Sequence, residues 1–266
     1  MIDQLSVSEF IQKLEAKIST VVMEIQLDNL YNWNEDYITL SILKELRRNF
    51  RQVTIKYSKN KFIHVKTNFL KFNRKLKAEE KYGDIAILIN LSYDDGISLE
   101  GVGLLEAKRF YQDKKSFSAI NQDQLRRINE NAPHAFLMLY DYERIDKNQT
   151  FKNYLLIKKK FFQSPLYASL IPINIARNFP KIERDIYRFS TAFSYQFAYR
   201  YMHGLDLEFT NEIIQAAKGY QVAEINPPQY VIQVSIKHTK DDKEIDLVLP
   251  EVNLENFTKI NNDSTN

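Results

Sequence analysis

Residues 83–108 read GDIAILINLSYDDGISLEGVGLLEAK, and this stretch decides the fold that the sequence predicts. Its first part, from Gly83 to Ile89, is strongly apolar, which is typical of a buried strand. The run Asp94-Asp95-Gly96 favours a turn, because Asp-Gly accepts positive φ angles. The segment from Gly101 to Lys108 then predicts the returning strand. Four of the six glycines of the chain fall in this stretch, where the backbone must turn tightly or be approached closely.

The segments on either side predict a mixed α/β core. Asn34 is a candidate N-cap for a helix whose first turn holds Glu35 and Asp36. Further helices are predicted over residues 7–30 and 118–131, and further strands over residues 53–57, 62–65 and 134–140. The order helix, strands, helix, strand is typical of an α/β domain.

The second half of the chain is rich in Phe and Tyr. Its hydrophobic residues recur at helical spacing over 180–203, at Ile182, Ile186, Phe189, Phe193 and Phe197. A long helix is predicted there, followed by a helix over 210–218 and a strand over 230–236. We therefore expect a core with N-terminal helices over 1–146, and over 147–266 an α-rich accessory region with a late strand and a flexible tail from 259.

The predicted accessory region contains no second set of acids with a lysine at strand spacing. Its apolar stripes need a partner surface. Residues 147–258 are therefore expected to supply packing, homo-oligomerisation or docking of a partner protein.

Composition excludes several classes of function. The chain has no cysteine, which excludes disulfides and thiolate zinc sites, and its four histidines lack ligand spacing. No glycine-rich stretch suits the phosphates of ATP or of a dinucleotide. There is neither an apolar run of about 18 residues nor a signal-like N-terminus, so we expect a cytoplasmic protein with no membrane partner.

Charge is concentrated in one segment, although the net charge of the chain is only +3. From Lys44 to Lys81 there are 13 Lys or Arg and three acids. Such a segment suits a polyanion such as nucleic acid. A solvated lysine-rich face is the alternative. The candidate contacts to nucleic acid are Arg47, Arg48, Arg51, Lys56 and Lys61.

Three charged residues are predicted to meet at one end of the sheet. Glu106 and Lys108 lie two positions apart on one strand, so their side chains share a face. Burying them at the end of an apolar strand is costly unless they are used. Asp84 begins the partner strand, which a hairpin places beside the end of the returning strand. Mg²⁺ is usually held by one or two carboxylates, so Asp84, Glu106 and the Ala107 carbonyl are candidate ligands.

The residues Gly83-Asp84 and Glu106-Ala107-Lys108 resemble the motif of the PD-(D/E)XK nuclease superfamily, with glycine where the family name has proline. The resemblance covers about residues 34–142. It implies a restriction-endonuclease-like mixed sheet flanked by helices. It also implies a Mg²⁺-dependent nuclease that accepts Mn²⁺, with DNA favoured over RNA, and restriction or anti-phage defence as its setting. Lys108 would orient the attacking water or neutralise charge that builds up on the phosphate.

Two accessory residues follow from the same resemblance. Gln124 lies on the stripe of Ile120 and Ile128 and would help to hold the nucleophile or the metal-bound water. Its alternative role is an amide that caps a strand edge. Glu35 would lie near the metal ion. Its alternative role is complementarity to the helix dipole, which Asp36 could serve equally.

Two other functions stay open. One is a catalytically silent nucleic-acid-binding or assembly subunit of a larger defence or repair complex. The intact set of Asp84, Glu106 and Lys108 argues against this, because decayed copies usually lose the lysine or an acid. The other is an enzyme that acts on a different phosphoester, which the basic segment disfavours.

Overall fold

The computed structural model describes residues 4–28, 33–73, 81–117, 120–145, 166–220, 227–240 and 245–260. In these residues ten strands form one mixed sheet. The strands are β1 (Gln4–Ser6), β2 (Gln52–Ser58), β3 (Lys61–Phe72), β4 (Ile85–Tyr93), β5 (Ser98–Arg109), β6 (Phe136–Ile145), β7 (Leu166–Pro172), β8 (Thr191–Ala192), β9 (Tyr230–Thr239) and β10 (Phe257–Lys259). The α-helices are α1 (Val7–Asp28), α2 (Glu35–Asn49), α3 (Gln122–Asn131), α4 (Ile173–Ala176), α5 (Phe193–Tyr195) and α6 (Asn211–Ala217). The predicted α/β class is confirmed.

The strand order across the sheet is β1-β2-β3-β9-β4-β5-β6-β7-β8, and β10 pairs with β3 beside this path. Strand β9 lies between β3 and β4, antiparallel to the first and parallel to the second. A strand from late in the chain therefore separates β3 from the hairpin that follows it. The hairpin of β4 and β5 is antiparallel, with Ile85 opposite Leu105. Strand β5 pairs in parallel with β6, and α3 lies in the connection between them.

Helices cover both faces of this sheet. On one face, α1, α2 and the helical residues 193–203 pack against side chains such as Ile87 and Leu105. On the other face, α3, α4 and α6 pack against side chains such as Leu88 and Leu104. Side chains alternate between the two faces along a strand. Since helices cover both faces, the side chains of β4 and β5 are buried on both sides of the sheet. This explains why their sequences are nearly continuous apolar runs.

Helix ends follow local side-chain chemistry. Asn34 caps α2 as predicted, because its side chain accepts a hydrogen bond from the Tyr37 N–H at 2.8 Å. Helix α3 begins at Gln122, later than predicted, and Asn121 caps it by accepting from the Asp123 N–H at 2.9 Å. The first predicted residues of that helix, 118–119, lie outside the described residues.

The expectation of an α-rich accessory region after residue 146 is corrected. In the part of that region that the structure describes, four strands join the sheet of the first half, and β7 pairs directly with β6. The predicted boundary at 146 lies outside the described residues, and strands from both sides of it share one sheet. The region therefore completes the sheet. The predicted tail begins within β10, and residues 261–266 lie outside the described residues.

The long helix predicted over residues 180–203 is also wrong. Arg184–Phe189 forms a 3₁₀ helix, and β8 then pairs with β7 before α5 begins. Helix α5 continues as a π-helical segment, Gln196–Arg200, and a 3₁₀ turn, Tyr201–His203. The apolar stripe has the spacing of one helix face, but its members are buried on opposite faces of the sheet. Ile182 and Ile186 lie on the α3 side, and Phe193 and Phe197 lie on the α1 side. The predicted helix at 210–218 and strand at 230–236 are confirmed as α6 and β9.

Across the described ranges, no helix combines the length and the apolar character that crossing a membrane requires.

Candidate active site

The hairpin holds Asp84 at the point where β4 begins. Gly83 precedes it with a φ of 86°, and a Cβ at Gly83 would lie 2.7 Å from the Leu105 carbonyl oxygen. The Asp84 N–H donates to that same carbonyl at 2.8 Å. The Asp84 carboxylate in turn accepts from the Ala107 N–H at 2.8 Å. Asp84 precedes Ile85, the first residue of β4, so its side chain supplies the acceptor for the Ala107 N–H where the pairing of β4 with β5 ends. These hydrogen bonds fix Asp84 beside β5.

Glu106 and Lys108 lie at the end of β5, on the face that packs against α3. The same face carries the core residue Leu104. The exposed fractions of Glu106 and Lys108 are only 1% and 7%. The Lys108 ammonium donates to Glu106 Oε1. Gln124, which reaches in from α3, donates to the same oxygen at 2.8 Å. The predicted neighbours on one face are confirmed.

The electrostatics of the site are those of several acids around one lysine. Burial raises the pKa of Asp84 to about 6, although the charge of Lys108 and the hydrogen bond from Ala107 oppose the shift. Burial acts to lower the pKa of Lys108, but the charges of Glu106, Asp84 and Glu35 outweigh it and raise that pKa above its ordinary value. Lys108 is therefore protonated at neutral pH. A further positive charge near Asp84 would lower the pKa of that carboxyl and favour its ionised form.

The two acids in the first turn of α2 face different neighbours. Glu35 accepts a hydrogen bond from the Arg109 N–H at 3.3 Å, which directs it toward the end of β5. Asp36 accepts from the Tyr230 hydroxyl and forms an ion pair with Lys71 at 3.6 Å. Asp36 therefore ties α2 to β9 and β3.

The oxygen atoms that the site offers can be compared with the ligands that Mg²⁺ takes in proteins. Among the residues that the structure describes, no three His, Asp or Glu side chains are arranged to hold a metal ion. Glu35 is thus not assembled with Asp84 and Glu106 into a three-carboxylate group. Two carboxylates and the Ala107 carbonyl still fit Mg²⁺, which commonly takes one or two protein carboxylates and keeps several waters.

The predicted contacts to nucleic acid are not gathered at this site. Lys61 begins β3, whereas the active-site end of that strand is near Lys71, roughly 30 Å away at about 3.3 Å per residue. Lys56 pairs with Phe62 at the same distant end.

The three arginines of the prediction lie beyond the capped start of α2. Arg47 donates to the Ile260 carbonyl, and Arg48 forms an ion pair with Glu45 at 3.6 Å. Arg51 is exposed just before β2. Residues 74–80 of the basic segment lie outside the described residues.

Two residues near the site escaped the sequence argument, Lys71 and Tyr230. They face each other across β3 and β9, and the Lys71 ammonium lies 5.3 Å from the centre of the Tyr230 ring. The Tyr230 N–H donates to the Asp84 carbonyl at 3.0 Å. No local pattern signals this, because the pairing of β9 joins residues far apart in the chain.

Comparison of the chain with models of known protein families, with curated proteins and with solved structures found no match. The resemblance to the PD-(D/E)XK superfamily therefore stays a prediction that rests on the motif residues.

Proposed function

We propose that the chain is a Mg²⁺-dependent nuclease that hydrolyses phosphodiester bonds in DNA, with Mn²⁺ as a substitute ion. The observation that carries the proposal is the convergence of Asp84, Glu106 and Lys108 at one end of the hairpin, with a buried ion pair at its centre. Burying charges on an apolar strand costs free energy, and such groups cluster where their chemistry is used. A restriction-endonuclease-like core is part of the proposal, supported by the parallel pairing of β5 and β6 around α3.

Each residue has a distinct role in this proposal. A cation held by Asp84 and Glu106 would supply charge stabilisation for the phosphate and a water of lowered pKa. Lys108 keeps its proton and places a positive charge beside the reacting phosphate. Gln124 donates to the Glu106 carboxylate and thereby fixes its orientation.

The substrate class is supported by charge near the site. Lys71 is the basic-segment residue beside Asp36 and Tyr230, and its side chain is about one third exposed. A cation at this edge suits a phosphate backbone that passes the carboxylates. If several such contacts form, the logarithm of DNA affinity should fall with the logarithm of salt concentration, by about 0.9 for each neutralised phosphate.

The proposal is tested by incubating the purified protein with plasmid DNA and Mg²⁺, with and without EDTA. Lys108→Met should lower the cleavage rate by about 100-fold or more, because a charge next to the reacting phosphate is lost. The matched control is Lys218→Met, since Lys218 is also buried, at 8% exposed, and is paired with Glu100 at 2.7 Å.

A second readout separates ion binding from cleavage. Mg²⁺ should raise the unfolding midpoint of the native protein and should not raise that of Glu106→Gln, because a ligand stabilises only the state that binds it. DNA binding without cleavage under every divalent ion would favour the silent subunit instead. Unchanged cleavage in Lys108→Met and Glu106→Gln would refute the site.

A further inference from the structure

A concave site lies at the opposite end of the sheet from the candidate active site. It is a cavity of about 660 Å³, within the range of small-molecule sites. Strand β4 connects the two sites, because it begins next to Asp84 and ends at Tyr93, which lines the cavity. The separation is about 30 Å along that strand. None of the residues assigned to cleavage lines this cavity.

A row of aromatic rings forms one wall. Tyr93 stacks on His238 with ring centres 5.0 Å apart and an interplanar angle of 22°. His203 lies 5.3 Å from His238, and Tyr57 lies 5.4 Å from His203. Tyr57 is 46% exposed although it is a large ring in a concave site. Exposed rings of this kind are stacking surfaces for a flat ligand.

The two histidines add directional hydrogen bonding. His203 Nδ1 bonds to the Tyr199 carbonyl at 2.6 Å, and His238 Nε2 bonds to the Met202 carbonyl at 3.0 Å. A carbonyl only accepts, so those ring nitrogens carry the hydrogens. Burial lowers the pKa of His238, which keeps that ring neutral near pH 7. In a neutral imidazole the other nitrogen is an acceptor, which suits an amino group on a flat ring.

The rim of the cavity carries two lysines and two acids, Asp94 and Asp95. Lys61 and Lys240 both line it. Asp94 also lines it, but its carboxylate accepts from the Lys240 N–H at 2.9 Å. That hydrogen bond, together with the charges of Lys237 and Lys240, holds the pKa of Asp94 below its usual range, so Asp94 is ionised. Asp95 accepts a hydrogen bond from the Ile97 N–H at 3.1 Å. A phosphate at this rim would meet the ammonium groups of Lys61 and Lys240 beside two carboxylates that each already accept a backbone hydrogen bond.

We propose that this cavity binds a nucleotide, with its base stacked on the Tyr57 and Tyr93 side of the ring row and its phosphate at Lys61 and Lys240. The acceptor nitrogen of neutral His238 receives an amino hydrogen of the base. A free nucleotide and a nucleotide within a single strand present the same chemistry to this site. The inference does not depend on the proposed cleavage reaction.

The test uses the full chain in EDTA, so that no metal-dependent cleavage occurs, and follows the histidine C–H resonances by NMR. The chain has four histidines, and His203→Gln and His238→Gln identify the two of interest. Adenosine monophosphate should shift the resonances of His203 and His238 saturably and leave those of His64 and His134 in place. Inorganic phosphate alone should leave all four in place.

Variants at the rim and wall sharpen the result. Tyr57→Ala and Lys240→Ala should each weaken adenosine monophosphate binding by about tenfold, since stacking or charge pairing contributes on the order of 1–3 kcal/mol. Tyr220→Ala and Lys259→Ala are the controls, since both residues are exposed and distant from the cavity lining. Lys240→Ala, on the surface, keeps the test valid if Tyr57→Ala fails to fold.

A short single-stranded oligodeoxyadenylate separates the two sources of ligand. Binding about tenfold tighter than the mononucleotide, with the same histidine shifts, identifies a strand as the ligand. Equal or weaker binding identifies a free nucleotide. The proposal is overturned if neither probe shifts His203 and His238 at millimolar concentration, if phosphate alone produces the same shifts, or if the wall and rim variants bind like their controls.

Discussion

The side-chain amide of Gln124 can orient the carboxylate of Glu106 by hydrogen bonding to it. It donates to Glu106 Oε1 from α3, and the Lys108 ammonium shares that oxygen. Gln124→Leu should leave the fold intact and lower cleavage by about 10- to 100-fold, because neighbours that orient metal ligands have effects of that size. The measurement is the Mg²⁺ dependence of cleavage, where the variant should need more Mg²⁺.

The matched control for this prediction is Gln122→Leu. Gln122 lies on the same helix and donates to the Phe179 carbonyl at 2.7 Å, so the substitution removes an equivalent hydrogen bond away from the acids. Equal loss of cleavage in both variants would assign the effect to α3 as a whole and contradict a positioning role for Gln124.

Glu15 is a buried acid outside the site, and it should make stability depend on pH. Burial raises its pKa to about 8 from 4.5, although the Ser194 hydroxyl donates to it at 2.6 Å. The folded protein therefore binds more protons than the unfolded chain between these values. Stability should fall as pH rises from about 4.5 to about 8, by at most about 1.4 kcal/mol for each pH unit.

Glu15→Gln should remove this dependence, because an amide can accept from Ser194 without ionising. Urea unfolding at pH 6 and pH 9 is the measurement, and the variant should be more stable than the native protein at pH 9. Glu24→Gln, at an exposed position of the same helix, is the control. A native protein as stable at pH 9 as at pH 6 would show that Glu15 is not protonated when folded.

At the level of elements, Gly83 links the geometry of the hairpin to the position of Asp84. Gly83→Ala should lower both stability and cleavage, because a methyl group would press on the Leu105 backbone that holds Asp84. Gly96 provides a control with the same φ of 86° and nothing within 4 Å of an added Cβ. Gly96→Ala should cost only the conformational strain, about 1–2 kcal/mol, and leave cleavage unchanged. Equal effects of both changes on cleavage would exclude the contact with Leu105 as the cause.

The sequence predicted those elements whose signals are local. The Asn34 cap, the Asp-Gly turn and the alternation that aligns Glu106 with Lys108 each depend on neighbours a few positions away, and all three are present. The hairpin of β4 and β5 could therefore be predicted in detail. Gln124 was also found, because a helical stripe faces the sheet.

The elements that failed depend on contacts between distant segments. The stripe from Ile182 to Phe197 has helical spacing, but the chain crosses the sheet at β8 and buries the two ends on different faces. The strand at 230–236 was predicted, but its position beside Asp84 was not. Strands that are far apart in the chain leave no local pattern in the sequence that shows how they pair. Lys71 and Tyr230 were missed for the same reason.

At the level of the whole molecule, the first half of the chain should not fold alone. A fragment of residues 1–146 lacks β9, so β3 and β4 would lose the strand that joins them and expose apolar edges. We expect it to aggregate or to lack a cooperative unfolding transition, as measured by size-exclusion chromatography and circular dichroism. Co-expression with residues 147–266 should restore the native sheet. A monomeric 1–146 fragment that unfolds cooperatively and cleaves DNA would show that the second half is dispensable.

The central place of β9 also determines when folding can finish during synthesis. The ribosome makes β1 to β3 first and then β4 to β8, and the two groups cannot form one sheet until residues 230–239 have emerged. Until then each group carries an open strand edge, and unpaired strand edges associate with other chains. Because β9 pairs with strands made more than half a chain length earlier, closing the sheet requires a large loop and is slow. We therefore expect the nascent chain to bind chaperones that shield strand edges.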